Sequence, residues 1–283
     1  MNIYINGKAA DITLDTEKTL GNVLSGLEQW VSQSGSRLQS ISVDGEVLDG
    51  EALSQAFGRN ISAIKKLDVL VSPYRELAEQ ALSALLAVCL NYEGAAFEGR
   101  AQIAEEWKQS AAADFLHADV ADMYELASIA FAGEGLAVRE LAAIIEDRLM
   151  EIAAPAKEIA GCEVLVKTVA ARMEELSLDM QTGKDERAAE TIQLFSQAGQ
   201  KLFRIFFILE SEGLDSGPEG SPFAVDGVPA KDFMKEFNAV LAEISAAYEN
   251  KDTVLAGDLS EYELAPRLLK FYYALKDLFT LSP

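Results

Sequence analysis

The sequence predicts an α+β protein, with a small strand-rich domain over residues 1–72 and an acidic α-helical bundle domain over 73–283. Three observations carry that prediction. Apolar and polar residues alternate only in the first seventy positions, where glycine-containing turn signals separate the alternating runs. Beyond Ser72-Pro73 apolar residues recur every three and four positions, the period of a helix with one buried face. Gly and Pro then cluster at a few places that cut the second part into helical lengths.

Taken in order, Asn2 to Ile5 alternates, Asn6-Gly7 supplies a tight turn, and Ile12 and Leu14 alternate again, so the chain opens on a hairpin. Leu20, Val23, Leu24, Leu27 and Val31 share one helical face with Trp30 beside it, and Ser34-Gly35-Ser36 ends that helix. Ile41 and Val43 form a short strand, Asp44-Gly45 turns it, and Val47 and Leu48 continue. Ile64, Leu67, Val69 and Val71 make the last strand, giving the order ββαββ.

That order with these turns is the β-grasp layout, and the sequence resembles ubiquitin locally as well. The run Val43-Asp44-Gly45-Glu46-Val47-Leu48-Asp49-Gly50-Glu51-Ala52-Leu53 is similar to ubiquitin's strand, glycine turn, leucine and acidic-glycine turn before a short helix. Leu67 to Val71 resembles its final strand. The resemblance covers about a quarter of the chain and implies a ubiquitin-like domain over 1–72. It makes Gly45 and Gly50 turn glycines, needed for positive φ or close backbone approach. Ser42 and Asp68 stand where ubiquitin presents an exposed isoleucine and histidine, so the resemblance implies that ubiquitin receptors do not bind. The last strand runs on into Ser72-Pro73, which leaves no free diglycine end for conjugation or sulfur carriage.

Ser72-Pro73 reads as a helix start, the serine capping and the proline at the first helical position. Helical stripes follow at Leu77, Ala81, Leu82, Leu85 and Val88, at Leu141, Ile144, Ile145, Leu149 and Ile152, and at Phe233, Phe237, Val240, Leu241, Ile244 and Tyr248. Breaks at Asn91-Tyr92-Glu93-Gly94, Gly133-Glu134-Gly135, Pro155, Thr182-Gly183 and 213–229 divide the region into about seven helices. Gly213, Gly217, Pro218, Gly220, Pro222, Gly227 and Pro229 make 213–229 a long surface loop, with Pro229 opening the next helix. Tyr124-Glu125-Leu126-Ala127 echoes Tyr262-Glu263-Leu264-Ala265, a hint of duplication carried by four residues.

At 283 residues, 49% of them hydrophobic, the chain can bury a substantial core. Its 46 Asp and Glu against 24 Lys and Arg give a formal charge of −22, which repels nucleic acid and anionic membrane. The start Met1-Asn2-Ile3-Tyr4-Ile5 lacks a basic region before an apolar one, and no apolar run approaches the ~20 residues that span a bilayer. Cys89 and Cys162 lie in helical patterns as small hydrophobes. A cytoplasmic protein without membrane insertion is expected.

Chemistry is tested by elimination. His117 is the only histidine, so a ferritin-type di-iron site, which needs two Glu-x-x-His elements, cannot be built. Cys89, Cys162 and His117 are three scattered residues where structural zinc needs four. Asp114 or Asp119 could pair with His117, but nothing locates a nucleophile to join them. A phosphate-cradling Gly-x-x-x-x-Gly-Lys-Ser/Thr run does not occur, and Gly133-Glu134-Gly135 follows no strand. Paired acids such as Glu105-Glu106, Glu174-Glu175 and Glu261-x-Glu263 read as solvated helix faces. No catalytic, cofactor-binding or metal residue is assigned, and no cofactor is expected.

Contact surface remains. Leu202 to Leu209 is apolar except at Arg204, so that helix is either the centre of the bundle or a docking face, and Phe271-Tyr272-Tyr273 poses the same question. Ile205, Phe206, Phe207, Phe271, Tyr272 and Tyr273 are the candidate partner contacts. The leading expectation is a noncatalytic adaptor or chaperone-like protein that holds an amphipathic helix or basic surface of a partner. The helical part resembles small bacterial export chaperones, including those serving flagellar subunits, in general character and in no particular motif. The alternatives are an enzyme, or a regulatory subunit of one, with a carboxylate- and tyrosine-lined crevice in the bundle, and a homodimer closed through the apolar face.

Overall fold

The structure is a computed structural model that describes residues 1–14, 16–213 and 223–281. An N-terminal mixed β-sheet domain precedes a mostly helical region, an α+β protein. By backbone contacts the chain forms two compact units, Met1–Leu149 with Ser211–Gly213, and Met150–Glu210 with the described residues after Gly213.

In the first unit, β1 (Asn2–Ile5), β2 (Lys8–Ala9), β3 (Ser36–Val43), β4 (Glu46–Leu48) and β5 (Lys66–Pro73) form one sheet in the order β2-β1-β5-β3-β4. β1 runs parallel to β5 and the other pairs are antiparallel. The turns are those the sequence predicts. Asn6 and Gly7 take φ of 49° and 76°, Asp44 and Gly45 53° and 94°, and each pair joins two strands through a two-residue loop whose twist matches theirs. Asp44 also accepts the backbone N–H groups of Lys65 and Lys66 at 2.9 and 2.8 Å, tying its turn to the start of β5.

Helix α1 (Leu20–Ser32) starts at Thr19, whose side chain caps Asn22 while Asn22 returns the bond. It buries Leu20, Val23, Leu24 and Leu27 against Ile3, Ile41, Val43, Leu67 and Val69, the residues whose alternation marks the inward face. Three expectations change. The second strand stops at Ala9, and Ile12 and Leu14 lie beyond it. Gly50 is not a left-handed turn residue but the first residue of α2 (Gly50–Ala56), after Asp49. Ser72 does not cap a helix: β5 continues through Pro73, Ser72 Oγ bonds Gln39 Oε1 at 2.9 Å, and α3 (Tyr74–Gly94) begins one residue later.

Helices α4 (Phe97–Lys108), α5 (Ala111–Asp119), α6 (Ala121–Ala132) and α7 (Val138–Ala153) follow. Leu77, Ala81, Leu82 and Leu85 of α3 are buried as their spacing predicts, with Cys89 extending the stripe. Burial pushes the Cys89 thiol up to about 11, an unreactive hydrophobe. The His117 ring meets Tyr124 edge-on at 4.8 Å, and Asp119 pairs instead with Arg37 at 3.0 Å.

The second unit adds α8 (Pro155–Gly161), α9 (Glu163–Glu174), α10 (Leu176–Gln181), α11 (Asp185–Ser211), α12 (Ala230–Glu249), α13 (Thr253–Asp258) and α14 (Ala265–Leu281). Among the described residues α3 to α14 make twelve helices rather than about seven. The extra corners are turned by residues other than Gly and Pro: Val120 (φ −140°, ψ 54°) between α5 and α6, and Cys162 between α8 and α9. Residues 214–222 of the expected loop, including Gly217, Pro218, Gly220 and Pro222, lie outside the described residues. Its end forms a hairpin, β6 (Ala224–Val225) and β7 (Val228–Pro229), and Pro229 precedes α12 as an extended N-cap.

The long α11 supplies the centre of this core. Phe195 stacks on Phe237 at 5.5 Å, Phe203 meets both Phe237 and Phe271, and Phe271 also faces Phe206, Phe223 and Phe233. Glu151 is enclosed at 1% exposure and paired in full: Arg204 donates Nε to Oε2 at 2.8 Å and Nη2 to Oε1 at 2.7 Å, with Lys201 at 3.6 Å.

Candidate functional site

The six residues singled out from the sequence separate by environment. Ile205, Phe206, Phe271 and Tyr272 lie inside the second unit's own core, where their neighbours are residues of that same unit. Leu202 and Leu209 join them there, so the apolar run apart from Phe207 is largely covered from within. Phe207 and Tyr273 reach solvent, at 47% and 41% exposure. Burial raises the Tyr272 phenol above its ordinary value, with Lys276 opposing it.

Around Phe233 the structure gathers other side chains that periodicity did not mark. Between Leu259 and Leu264 the chain widens into a π-helix, a form frequent at functional sites. Its cause is legible in Pro266, which has no N–H to give the Tyr262 carbonyl four residues back and whose ring crowds that carbonyl. From Glu263, near the end of the π-helix, Pro266, Arg267 and Lys270 follow at helical spacing on one face. Opposite them lie Phe233 and Glu236, one turn apart on α12, and the β6–β7 hairpin, which brings Val225, Asp226 and Val228. Together with Tyr262 these residues line a crevice of about 270 Å³.

Its floor is apolar, since Val225 and Phe233 are buried. The rim is charged and paired. Arg267 donates Nε and Nη2 to Glu263 Oε2 at 3.2 and 2.9 Å and Nη1 to Glu236 Oε2 at 3.2 Å, and Lys270 lies 2.8 Å from Asp226 Oδ2. Burial works against the Arg267 charge, but the bonds from Glu263 and Glu236 outweigh it and raise its pKa. Tyr262 is 66% exposed, and the neighbouring Glu261 carboxylate raises its phenol above the ordinary value.

Each of the three rim carboxylates engages a cation through one oxygen, Glu236 and Glu263 through Oε2 and Asp226 through Oδ2. The other oxygen of each has no hydrogen bond to the described protein. Three acids against two bases leave the rim at a formal −1 over a hydrophobic floor. Such an arrangement can seat a cationic group carried on an apolar stem. No histidine or cysteine lines it. Among the described residues no group of three or more His, Cys, Asp or Glu is placed to hold a metal, and no helix is long and apolar enough to cross a membrane.

The signals for the crevice were present in the sequence. Asp226-Gly227, with φ of 51° and 83°, is the same turn signal as Asn6-Gly7 and Asp44-Gly45, and Pro266 interrupts a helical pattern. The echo of Tyr124 and Tyr262 ends in different conformations, α-helical in α6 and π-helical here.

Two family profiles match separate segments of the chain. Residues 1–73 match the family profile of the TP0873 N-terminal domain, and residues 159–272 match that of a domain of unknown function, DUF8042. Every residue lining the crevice falls within the second match. An uncharacterized protein of Treponema pallidum (strain Nichols) is 28% identical over 103 residues, 36% of this chain and 48% of that protein. The chain thus spans about half the length of the curated relative it matches. No solved structure matches. The chain is therefore similar to the TP0873 N-terminal domain at its start and to DUF8042 across the segment that builds the crevice.

Proposed function

We propose that this chain is a noncatalytic adaptor or chaperone-like protein that grips a basic segment of a protein partner with its helical part. A ubiquitin-like N-terminal domain offers it a second contact surface. The observation that carries the reading is the crevice, an apolar floor under carboxylates with unused acceptor oxygens, in a chain of formal charge −22. A β-grasp reading of residues 1–72 is supported by the strand order β2-β1-β5-β3-β4 with β1 parallel to β5. On its outward sheet face Ser42 sits directly across from Asp68, while Val47 and Leu70 are exposed. A boundary at 72/73 is supported by the profile match that ends at residue 73. A cytoplasmic location belongs to the same proposal, supported by Cys89 and Cys162, which are buried and joined in no disulfide.

One observation favours a second reading, an enzyme or regulatory subunit: Tyr262, Glu236 and Glu263 converge on the same crevice. Native mass spectrometry of the full chain, isolated from its own cells at its natural level, separates these. A stoichiometric complex with another protein supports the adaptor. A chain that carries no other protein, whether single or paired with itself, contradicts it, as does turnover of a small molecule by the purified chain.

A further inference from the structure

We infer that the occupant of the crevice is a lysine or arginine side chain presented by the partner, its stem on the floor and its cation among the rim carboxylates. The inference rests on the adaptor reading and specifies the group that is recognised. Five features select this chemistry. The floor, Val225 and Phe233, is buried and offers nothing polar, so it matches a methylene stem rather than a polar ligand. Arg267 has its Nε, Nη1 and Nη2 engaged by Glu263 and Glu236, and Lys270 is paired with Asp226, so the site's own cations are already neutralised.

What the rim holds in reserve is acceptor capacity. Asp226, Glu236 and Glu263 stand at 64%, 58% and 46% side-chain exposure, each with one oxygen bonded to none of the described residues. An ammonium has three donors and a guanidinium five, which such separate acceptors satisfy without displacing an existing pair. The Tyr262 ring, 66% exposed beside them, adds a face on which a cation can rest. An anionic ligand would meet three carboxylates and no free cation. The crevice, at about 270 Å³, has room for one side chain and lies just below the ~300–1,000 Å³ of ordinary small-molecule pockets.

The test is an NMR titration of the full 283-residue chain with short unstructured Gly/Ser peptides carrying one central residue: lysine, arginine, norleucine or glutamate. The result expected is a set of backbone shifts confined to the hairpin, the start of α12 and the π-helix, with the lysine and arginine peptides. Norleucine, which keeps the stem and loses the charge, should bind about tenfold more weakly, and glutamate not at all. The relative strength of the two cationic peptides tells which source the site prefers. Asp226→Asn combined with Glu236→Gln, both at exposed positions, should weaken the cationic peptides by about tenfold with thermal unfolding unchanged.

Equal binding of norleucine and lysine peptides overturns the inference, as does the absence of localised shifts. Shifts produced by free spermidine but by neither peptide overturn it in favour of a small polyamine. A stoichiometric protein partner that is retained by the double variant sinks this inference and leaves the adaptor reading standing. Peptide binding without any cellular protein partner sinks the adaptor reading and leaves the cation site.

Discussion

Lys276 Nζ lies 2.7 Å from Glu163 Oε2, a pairing of α14 with the first residue of α9 across 113 positions of sequence. The other oxygen of the same carboxylate takes Lys167 Nζ, also at 2.7 Å. With Lys167 first and Lys276 next in effect, the two ammonium groups lower the Glu163 carboxyl from 4.5 to about 2. Because the folded value lies below the unfolded one, the stabilisation is complete above about pH 4.5 and is lost as pH falls through about 2. A carbon-detected NMR titration of the side chain should place its midpoint near 2, and Lys276→Met should move it upward. A midpoint near 4.5 in the unmodified chain would refute the pairing.

The buried Glu151 gives a stability prediction of opposite character. At 1% exposure it relies on Arg204 and Lys201, and Glu151→Ala strands Arg204 with its fork unpaired in a half-buried position. The expected loss is about 3–5 kcal/mol by denaturant unfolding. Replacing Glu151 and Arg204 together by Met should cost distinctly less, since no lone charge remains. A double variant as damaged as the single one would argue against the pair.

Core and surface within the aromatic run are separable by substitution. Phe271→Ala removes the ring that Phe203, Phe206, Phe223 and Phe233 share and should cost about 3–5 kcal/mol. Phe207→Ala, at a position 47% exposed, should stay within about 1 kcal/mol. Equal losses in thermal or denaturant unfolding would contradict the burial that distinguishes the two.

Gly257 marks a close crossing of α13 over α10. A Cβ there would lie 2.6 Å from Ser177 Cβ and 2.7 Å from its Oγ, too near for either helix to ignore. Gly257→Ala should destabilise by about 1–3 kcal/mol, and adding Ser177→Gly should recover part of it. Absence of any effect from the first substitution would mean that the helices are farther apart than this.

The sequence made the sheet legible because Ile3, Ile41, Val43, Leu67 and Val69 alternate and because Asn6-Gly7 and Asp44-Gly45 fix the register of their hairpins. Core stripes of α3 and α12 were equally readable from Leu77 to Leu85 and from Phe233 to Ile244. Helix corners were not, because Val120 and Cys162 turn the chain without Gly or Pro, and the residue that turns it is chosen by packing. For the same reason Leu202 to Leu209 can be read from sequence as core or docking face, whereas in the fold Phe237 and Phe271 pack on Phe203 and Phe206 and leave Phe207 exposed. The crevice was half legible. Glu263 and Arg267 share a helix face by spacing alone, but Glu236 joins them from α12 and Asp226 from a hairpin, relationships that exist only in the folded chain.

Whether the crevice grips a basic segment of another protein is decided by photo-cross-linking in the native cell. A benzophenone amino acid at Tyr262, on the crevice rim, should give one dominant protein adduct, whereas the same group at the exposed Glu186 of α11 should not. Asp226→Asn with Glu236→Gln should reduce the Tyr262 adduct by about tenfold. No protein adduct at Tyr262, or the same adducts from both positions, would contradict the claim.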